Sequence, residues 1–145
     1  MSKRVLIVED EALLRRTLAS AFREVGFEAL SAGSAEEAEA FLFPAVGVDL
    51  VVLDNRLPGT DGVTLLRRLR QSPSGCPVIL MTAFDKTETR KAAEDWANGY
   101  VVKPFDLSRM IGEVRRLLGT GQLSREKVIP RPREVADPVQ SSPRR

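Results

Sequence analysis

The stretch that decides the fold of this chain reads LVVLDNRLPGTDG and runs from Leu50 to Gly62. It begins with four apolar residues, two of them valines, a pattern typical of a strand buried on both faces in a parallel sheet. Asp54 follows, then Leu57-Pro58-Gly59 break the strand pattern and Asp61-Gly62 prepare a helix. Asp54 therefore ends a buried parallel strand, where ligand sites form in open α/β sheets. Taken alone, this acid could equally well cap the loop after it.

The bulk composition is that of one globular domain. The chain has 145 residues, of which 43% are hydrophobic and 29% charged, enough for a proper core. No apolar run approaches a membrane span and no secretory pattern opens the chain, so we expect a cytoplasmic protein without a membrane partner. One cysteine, Cys76, excludes an internal disulfide and suits a reducing compartment. The lack of histidine excludes His-based metal sites, Ser-His-Asp triads and phosphohistidine carriers.

The charge is spread unevenly. Residues 119–145 hold 6 of the 22 basic and 3 of the 20 acidic residues, which leaves residues 1–118 with 16 and 17. The same final segment contains four prolines and almost no periodic apolar residues. We therefore expect a domain over 1–118 and a flexible, largely disordered tail over 119–145. Three net charges without aromatic residues make direct nucleic-acid binding unexpected.

Five strand patterns alternate with five helical patterns before residue 118. The predicted strands are Arg4–Val8, Phe27–Ser31, Leu50–Leu53, Pro77–Met81 and Tyr100–Val102. This alternation predicts an α/β fold with a parallel sheet and helices on both faces. The second strand is the least hydrophobic, as suits an edge.

The helices carry recognisable ends and faces. Ser34 and Glu37 form a capping box, and Asp106 is expected to cap the last helix. The fourth helix, predicted from Asp85 to Ala97, has few large apolar residues, so we expect it to be among the more mobile elements. In the third helix we expect a solvated face made of Arg67, Arg68 and Arg70. The predicted core side of the last helix is Leu107, Ile111, Val114, Leu117 and Leu118.

The polar residues that follow the strands form one constellation. They are Glu9 and Asp10 after the first strand, Asp54 after the third, Thr82 after the fourth and Lys103 after the fifth. All are expected at one edge of the sheet. Clustered carboxylates raise each other's pKa unless a cation joins them, and oxygen ligands without His or Cys suit Mg²⁺. Acids, Mg²⁺, a lysine and a hydroxyl together predict a phosphoryl-transfer site.

Four motifs resemble those of the receiver domain of two-component response regulators, in the CheY-like superfamily. They are VLIVEDE ending at Glu11, DNRLPGTDG starting at Asp54, MTAF ending at Phe84 and YVVKPF ending at Phe105. Their order and spacing match the family over residues 4 to about 118. The resemblance implies a doubly wound, flavodoxin-like (βα)5 fold with five parallel strands in the order 2-1-3-4-5.

The resemblance also implies roles for single residues. Asp54 would accept a phosphoryl group, Lys103 would pair with its oxygens and Thr82 would hydrogen-bond one of them. Tyr100 would turn inward when the threonine moves. The Lys103–Pro104 bond would be cis. The expected cation is Mg²⁺, with Mn²⁺ as an alternative. Its implied ligands are Glu9 (mainly through water), Asp10, Asp54 and the backbone carbonyl of Arg56.

The implied partners are a sensor histidine kinase or histidine phosphotransfer protein, and a downstream target or output domain. A homodimer through the fourth helix, fifth strand and fifth helix is the further option. The domain would be a switch with self-catalysed phosphorylation and dephosphorylation, not a dedicated enzyme. It would act as a single-domain regulator or as part of a longer one. Arg56 and Phe84 occupy positions that modulate hydrolysis, and their bulk suggests a phosphoryl lifetime longer than seconds.

Plainer interpretations stand beside these roles. Glu9 and Asp10 could cap the first helix, Thr82 could be an ordinary strand-end threonine, and Tyr100 could belong to the core. We expect Trp96 to serve helix packing and Cys76 to be structural. The family often has Gly-Ala before the aromatic residue of the fifth strand, whereas here Trp96-Ala97-Asn98-Gly99 precedes Tyr100. The segment from Thr82 to Tyr100 is also one residue shorter than is usual in the family. This departure leaves the end of the fourth helix, and the partner geometry, open.

Other functional classes fit less well. Haloacid dehalogenase-like phosphatases need a second acid two residues after the nucleophile, where this chain has Arg56. A P-loop NTPase would need a Gly-x-x-x-x-Gly-Lys-Ser/Thr loop, which is absent. A degenerate receiver that works without phosphorylation is disfavoured because all the key residues are present.

Overall fold

Five strands and five helices alternate in the computed structural model, which describes residues 2–43, 47–72, 75–83 and 87–119. The strands are β1 (Arg4–Val8), β2 (Glu28–Ala32), β3 (Leu50–Asp54), β4 (Val78–Thr82) and β5 (Gly99–Val102). The helices are α1 (Ala12–Glu24), α2 (Ala35–Leu42), α3 (Gly62–Gln71), α4 (Thr87–Trp96) and α5 (Leu107–Leu118). Beyond Gly119, the predicted tail lies outside the described residues, as does Phe84.

The strands form one parallel sheet in the order β2-β1-β3-β4-β5. This confirms the predicted doubly wound fold, its strand order and the edge position of β2. The observed strand limits differ from the predicted ones by one residue at β2, β3, β4 and β5, while β1 agrees at both ends. Among the described residues, no helix has the length and apolar character needed to cross a membrane.

The sheet buries both of its faces. Along β1, Val5 and Ile7 pack into one apolar cluster with α1 and α5, while Leu6 and Val8 pack into another with α2, α3 and α4. All five residues of β3 are buried. The uninterrupted apolar run of β3 follows from this arrangement, because alternate side chains enter opposite clusters and both must be apolar.

The strand register aligns the carboxyl ends of the strands. Asp54 is paired with Met81 in β4, and Thr82 is paired with Val102 in β5. Past the strands, the backbone N–H of Glu9 donates to the carbonyl of Ala32 at 3.0 Å. The residues that leave β1, β3, β4 and β5 therefore emerge side by side at one edge of the sheet.

The third-helix prediction was wrong for one arginine. Arg67 and Arg68 are exposed as expected, but Arg70 folds back over the end of α4. Its Nε donates to the carbonyl of Trp96 at 2.7 Å, and its Nη1 to the carbonyl of Cys76 at 3.2 Å. The guanidinium thus caps a carbonyl at the C-terminus of α4, where helix carbonyls lack internal partners. A long side chain on the rim of a helix can reach such partners although periodicity assigns it to solvent.

Asn98 completes this contact. Its side chain is 2% exposed. Its Oδ1 accepts from Arg70 Nη2 at 2.6 Å and from the Val78 backbone N–H at 2.7 Å. Trp96 packs against the cluster of α2, α3 and α4, and Cys76 does the same. The predictions that Trp96 serves packing and that Cys76 is structural are in line with these contacts, and burial raises the pKa of the Cys76 thiol to about 11.

Two details of the helix ends differ from expectation. Glu37 bonds the backbone N–H of Gly33 at 2.6 Å rather than that of Ser34, whose hydroxyl accepts from the Glu37 N–H at 3.1 Å. Asp106 occupies the N-cap position of α5 without a side-chain cap bond, and its backbone carbonyl accepts from the Arg109 N–H at 3.0 Å.

The core side of α5 also needs one correction. Leu107, predicted to be buried, is 37% exposed. Met110 is fully buried in its place, one turn before Val114, and Phe105 packs against the same cluster. Leu107 is the first residue of α5, and the buried residues of this helix begin only at Met110.

Candidate functional site

Three carboxylates meet at the carboxyl edge of the sheet. Each of Glu9, Asp10 and Asp54 offers an oxygen that lies within 4.8 Å of the oxygens offered by the other two. Glu9 is 1% and Asp54 is 3% exposed, while Asp10 is exposed. Two charges are therefore buried at the floor of the site, and the third faces solvent.

The backbone around Asp54 is held by a tight turn into α3. Gly59 has a φ of +74°, a conformation that suits glycine. The N–H of Gly62 donates to the carbonyl of Asn55 at 3.0 Å. A Cβ at Gly62 would lie only 2.2 Å from the carbonyl oxygen of Asp54. The end of β3 can approach α3 this closely only because residue 62 has no side chain. The sequence indicated Gly62 as part of a helix start, not as this contact.

Lys103 is the counter-charge of the buried acids. Its Nζ lies 3.0 Å from Glu9 Oε1 and 3.4 Å from Asp54 Oδ1. Burial alone would lower the pKa of Lys103, but its hydrogen bond to Glu9 and the charge of Asp54 raise it above the usual value. The ammonium is thus fully charged at neutral pH. The next peptide bond, Lys103–Pro104, is cis as predicted.

Asp54 keeps an unfavourable charge in spite of this lysine. Burial and the neighbouring charge of Glu9 raise the pKa of Asp54 from 3.8 to about 6, although Lys103 opposes them. The N–H of Arg56 gives weak support, 3.4 Å from Asp54 Oδ1. An ionised acid that remains under-compensated is well suited to bind a further cation.

The acidic pair on the β1–α1 loop does not cap the first helix. The N-cap residue of α1 is Glu11, which makes no side-chain cap bond. Instead, Glu9 Oε2 accepts from the backbone N–H of Glu11 at 3.0 Å. Arg15 reaches back from α1, and its Nη1 donates to the carbonyl of Glu9 at 2.8 Å and approaches that of Asp10 at 3.4 Å. The sequence analysis did not identify Arg15 as part of the site. Its position five and six residues after Asp10 and Glu9 is only a weak signal for such a contact.

A cleft of about 700 Å³ opens beside the acids, between the turn after β3 and α4. Its lining includes Asp10, Arg56, Thr82, Arg67 and Thr89. Thr82 is 6% exposed and ends β4. The structure thus brings the predicted Thr82 and Arg56 to the same opening as Asp10.

Tyr100 stands apart from this constellation. It is half-buried and packs against the cluster of α2, α3 and α4, opposite Leu80 of β4. Its position is compatible with a core role, and its predicted movement with Thr82 stays a prediction. The same holds for the Arg56 carbonyl as a metal ligand.

The donor set fits a hard divalent cation. Carboxylate oxygens at this spacing, without histidine or a nearby thiolate, suit Mg²⁺ or Mn²⁺ better than zinc or copper. The exposed Asp10 gives such an ion access from solvent. A bound cation would offset both causes that raise the pKa of Asp54, its burial and the charge of Glu9.

Comparison with known proteins identifies the family. The family model of the response regulator receiver domain matches residues 5–115. The chain therefore belongs to the receiver domains of response regulators, the signalling modules of two-component systems, as its motifs predicted.

Two curated relatives show how far the similarity extends. Regulatory protein AtoC of Escherichia coli (strain K12) is 40% identical over 124 residues, which cover 85% of this chain and 27% of AtoC. Transcriptional regulatory protein PmrA of Pectobacterium parmentieri is 39% identical over 120 residues, which cover 82% of this chain and 54% of PmrA. The chain thus spans only about a quarter to about a half of these relatives' lengths.

A solved relative supports the same assignment. The response regulator TrrA of Thermotoga maritima, determined in complex with Mg(2+)-BeF, superposes with a TM-score of 0.70 at 32% identity. The match covers 78% of this chain and 96% of that one.

Proposed function

We propose that Asp54 is the phosphoacceptor of this receiver and that Glu9, Asp10 and Asp54, with the Arg56 carbonyl, hold a Mg²⁺ ion beside it. The observation that carries the proposal is the buried Asp54 carboxylate, which lies beside the Glu9 and Asp10 carboxylates and within 3.4 Å of the Lys103 ammonium. An acid placed in this way is a nucleophile with positive charge at hand for an incoming phosphoryl group.

The transfer step follows from this placement. An oxygen of Asp54 forms a bond to phosphorus while the P–N bond of a donor phosphohistidine breaks, and the imidazole leaves with the electron pair. The product is an acyl phosphate on Asp54. When bound, Mg²⁺ supplies charge neutralisation for the phosphoryl oxygens.

Lys103 and Thr82 act on the product. The Lys103 ammonium moves from Glu9 and Asp54 to the new oxygens, which carry more negative charge than a carboxylate. The Thr82 hydroxyl, at the end of β4, donates to one of them, and Tyr100 follows the threonine inward. These shifts change the surface of α4, β5 and α5.

The partners and location follow from the same role. The donor would be a sensor histidine kinase or a histidine phosphotransfer protein, in the cytoplasm. The readout would be a downstream protein, an output domain or a second copy bound through the α4, β5 and α5 surface. The domain would then be a switch and not a dedicated enzyme. TrrA, solved with Mg(2+)-BeF, gives support by analogy.

The test incubates the full chain with Mg²⁺ and acetyl phosphate and measures its mass. We expect a mass increase of one phosphoryl group in the wild type and none in Asp54→Asn. Asp61→Asn, which alters an exposed acid at the N-cap of α3, is the matched control and should be labelled normally. A wild type that takes no label, or an Asp54→Asn variant that takes it equally, would refute the proposal.

A further inference from the structure

We propose that Arg15 is a positioning residue for the divalent-cation site, acting through the backbone of the loop that carries Glu9 and Asp10. The inference rests on the proposed function, since it assumes that these acids hold Mg²⁺. It assigns a role to a side chain of α1 that the transfer step itself does not use.

The contacts of Arg15 are unusual for a cation beside three acids. Its Nη1 donates to the main-chain carbonyls of Glu9 and Asp10, at 2.8 and 3.4 Å. Among the ion pairs found in the described part of the chain, the acids Glu9 and Asp54 are paired with Lys103. Arg15 therefore makes no contact with the carboxylate oxygens of these two acids, while it bonds the peptide carbonyls of the loop that carries them.

The other groups of Glu9 are also held. Its N–H donates to the Ala32 carbonyl at 3.0 Å, and its two carboxylate oxygens accept from Lys103 and from the Glu11 N–H. The remaining polar group of Glu9 is its backbone carbonyl, which accepts a hydrogen bond from Arg15 Nη1. Without Arg15, the peptide between Glu9 and Asp10 could rotate, and the exposed Asp10 would lose its fixed direction.

The β2–α2 loop lies against the guanidinium. A Cβ on Gly33 would lie 3.4 Å from Arg15 Nη1, so the loop passes directly beside the guanidinium. The half-buried arginine thus lies between the β1–α1 loop and the β2–α2 loop. Such confinement keeps a long side chain in one conformation, which a positioning role requires.

The sign of the effect separates position from charge. If Arg15 acted only through its charge, its removal would leave the acids more negative and Mg²⁺ would bind more tightly. If it positions the loop, removal weakens binding, because ligand orientation is lost. Loss of a group that orients metal ligands typically costs about 10- to 100-fold in metal affinity. Because Arg15 acts one step further back, we expect a rise in the Mg²⁺ Kd of about tenfold or slightly less.

The experiment is a calorimetric titration of the full chain with MgCl₂ alone. It compares the wild type with Arg15→Met, Arg15→Lys and Arg16→Met. Arg16→Met is the matched control, because it removes the same charge from an exposed neighbour on α1. We expect a Kd about tenfold higher for Arg15→Met, an intermediate value for Arg15→Lys and a change below about twofold for Arg16→Met. Urea unfolding in EDTA gives the stability of each variant separately.

The outcomes are distinct. A Kd for Arg15→Met equal to or lower than that of the wild type overturns the positioning role, whatever its stability. If Arg15→Met does not fold, the Arg15→Lys Kd decides: a wild-type value overturns the role, and a raised value supports it. A wild type that binds no Mg²⁺ instead overturns the proposed function, a result that the variants cannot mimic.

Discussion

Replacing Asp54 by Asn removes a buried negative charge that destabilises the folded protein. The pKa of Asp54 rises from 3.8 to about 6, because the carboxylate is buried and lies beside Glu9. The folded protein therefore binds a proton on Asp54 more tightly than the unfolded chain does. The contribution of this group to the free energy of unfolding falls as pH rises from about 4 through 6. A difference of about 2 pKa units corresponds to about 3 kcal/mol at neutral pH. Since an amide gives Lys103 a weaker partner, we expect Asp54→Asn to stabilise the metal-free protein by about 1–3 kcal/mol.

Urea unfolding in EDTA at pH 7.5 and pH 4.5 measures this effect. The advantage of Asp54→Asn should shrink by about 2 kcal/mol at the lower pH, where the wild-type carboxyl is protonated in the folded protein. Asp61→Asn should show no comparable change, because its exposed side chain caps α3 and Asn is an equally good cap. Equal or lower stability of Asp54→Asn at pH 7.5, with no dependence on pH, would refute the assignment of buried charge strain to Asp54.

Three further predictions concern the surroundings of the site. Gly62→Ala should destabilise the protein by more than about 2 kcal/mol in urea unfolding, because its Cβ would lie 2.2 Å from a β3 carbonyl oxygen. Asn98→Ala should cost about 1–3 kcal/mol in the same assay, because the buried N–H of Val78 loses its acceptor. Arg56→Ala should shorten the lifetime of the acyl phosphate, measured as loss of label after the donor is removed, because a bulky shield over the site is lost.

Each of these predictions has a result that would contradict it. Gly112 lies in α5, where an added Cβ would meet no atom within 4 Å, so Gly112→Ala should be neutral or stabilising. Equal effects of the two glycine substitutions would contradict the close-contact argument. An unchanged free energy of unfolding in Asn98→Ala would contradict the role of its oxygen as the acceptor of the buried Val78 N–H. Loss of the label from the wild type within about a second would contradict shielding by Arg56.

The site residues that could be predicted from the sequence are those that lie at the carboxyl ends of strands. Asp54, Thr82 and Lys103 each follow an apolar run directly, and parallel strands bring their carboxyl ends to one edge. The fold could be predicted as well, because strand patterns that alternate with helical patterns indicate a parallel sheet. The cis bond before Pro104 was also accessible, through the family resemblance.

What could not be predicted depends on long side chains and on close backbone contacts. Arg70 lies on the rim of α3, and periodicity cannot tell a solvated arginine from one that bonds the carbonyls of Trp96 and Cys76. Arg15 acts on main-chain oxygens, which carry no sequence signature. Leu107 has the spacing of a core residue, but whether the first turn of α5 overlaps the sheet is a matter of tertiary geometry.

The attachment of α4 has a mechanical consequence. Its buried residues are Ala92 and Ala93, and its last carbonyl is tied to Arg70, whereas Thr87–Lys91 are exposed apart from the half-buried Thr89. The helix is therefore anchored mainly through its C-terminal half. Ten residues give a lever arm of about 15 Å, so a rotation of about 10° carries the other end through about 3 Å. Thr89 lies about 10 Å from Trp96 along the helix, so the same rotation would move it by about 2 Å and would change the width of the cleft that it lines by a similar amount.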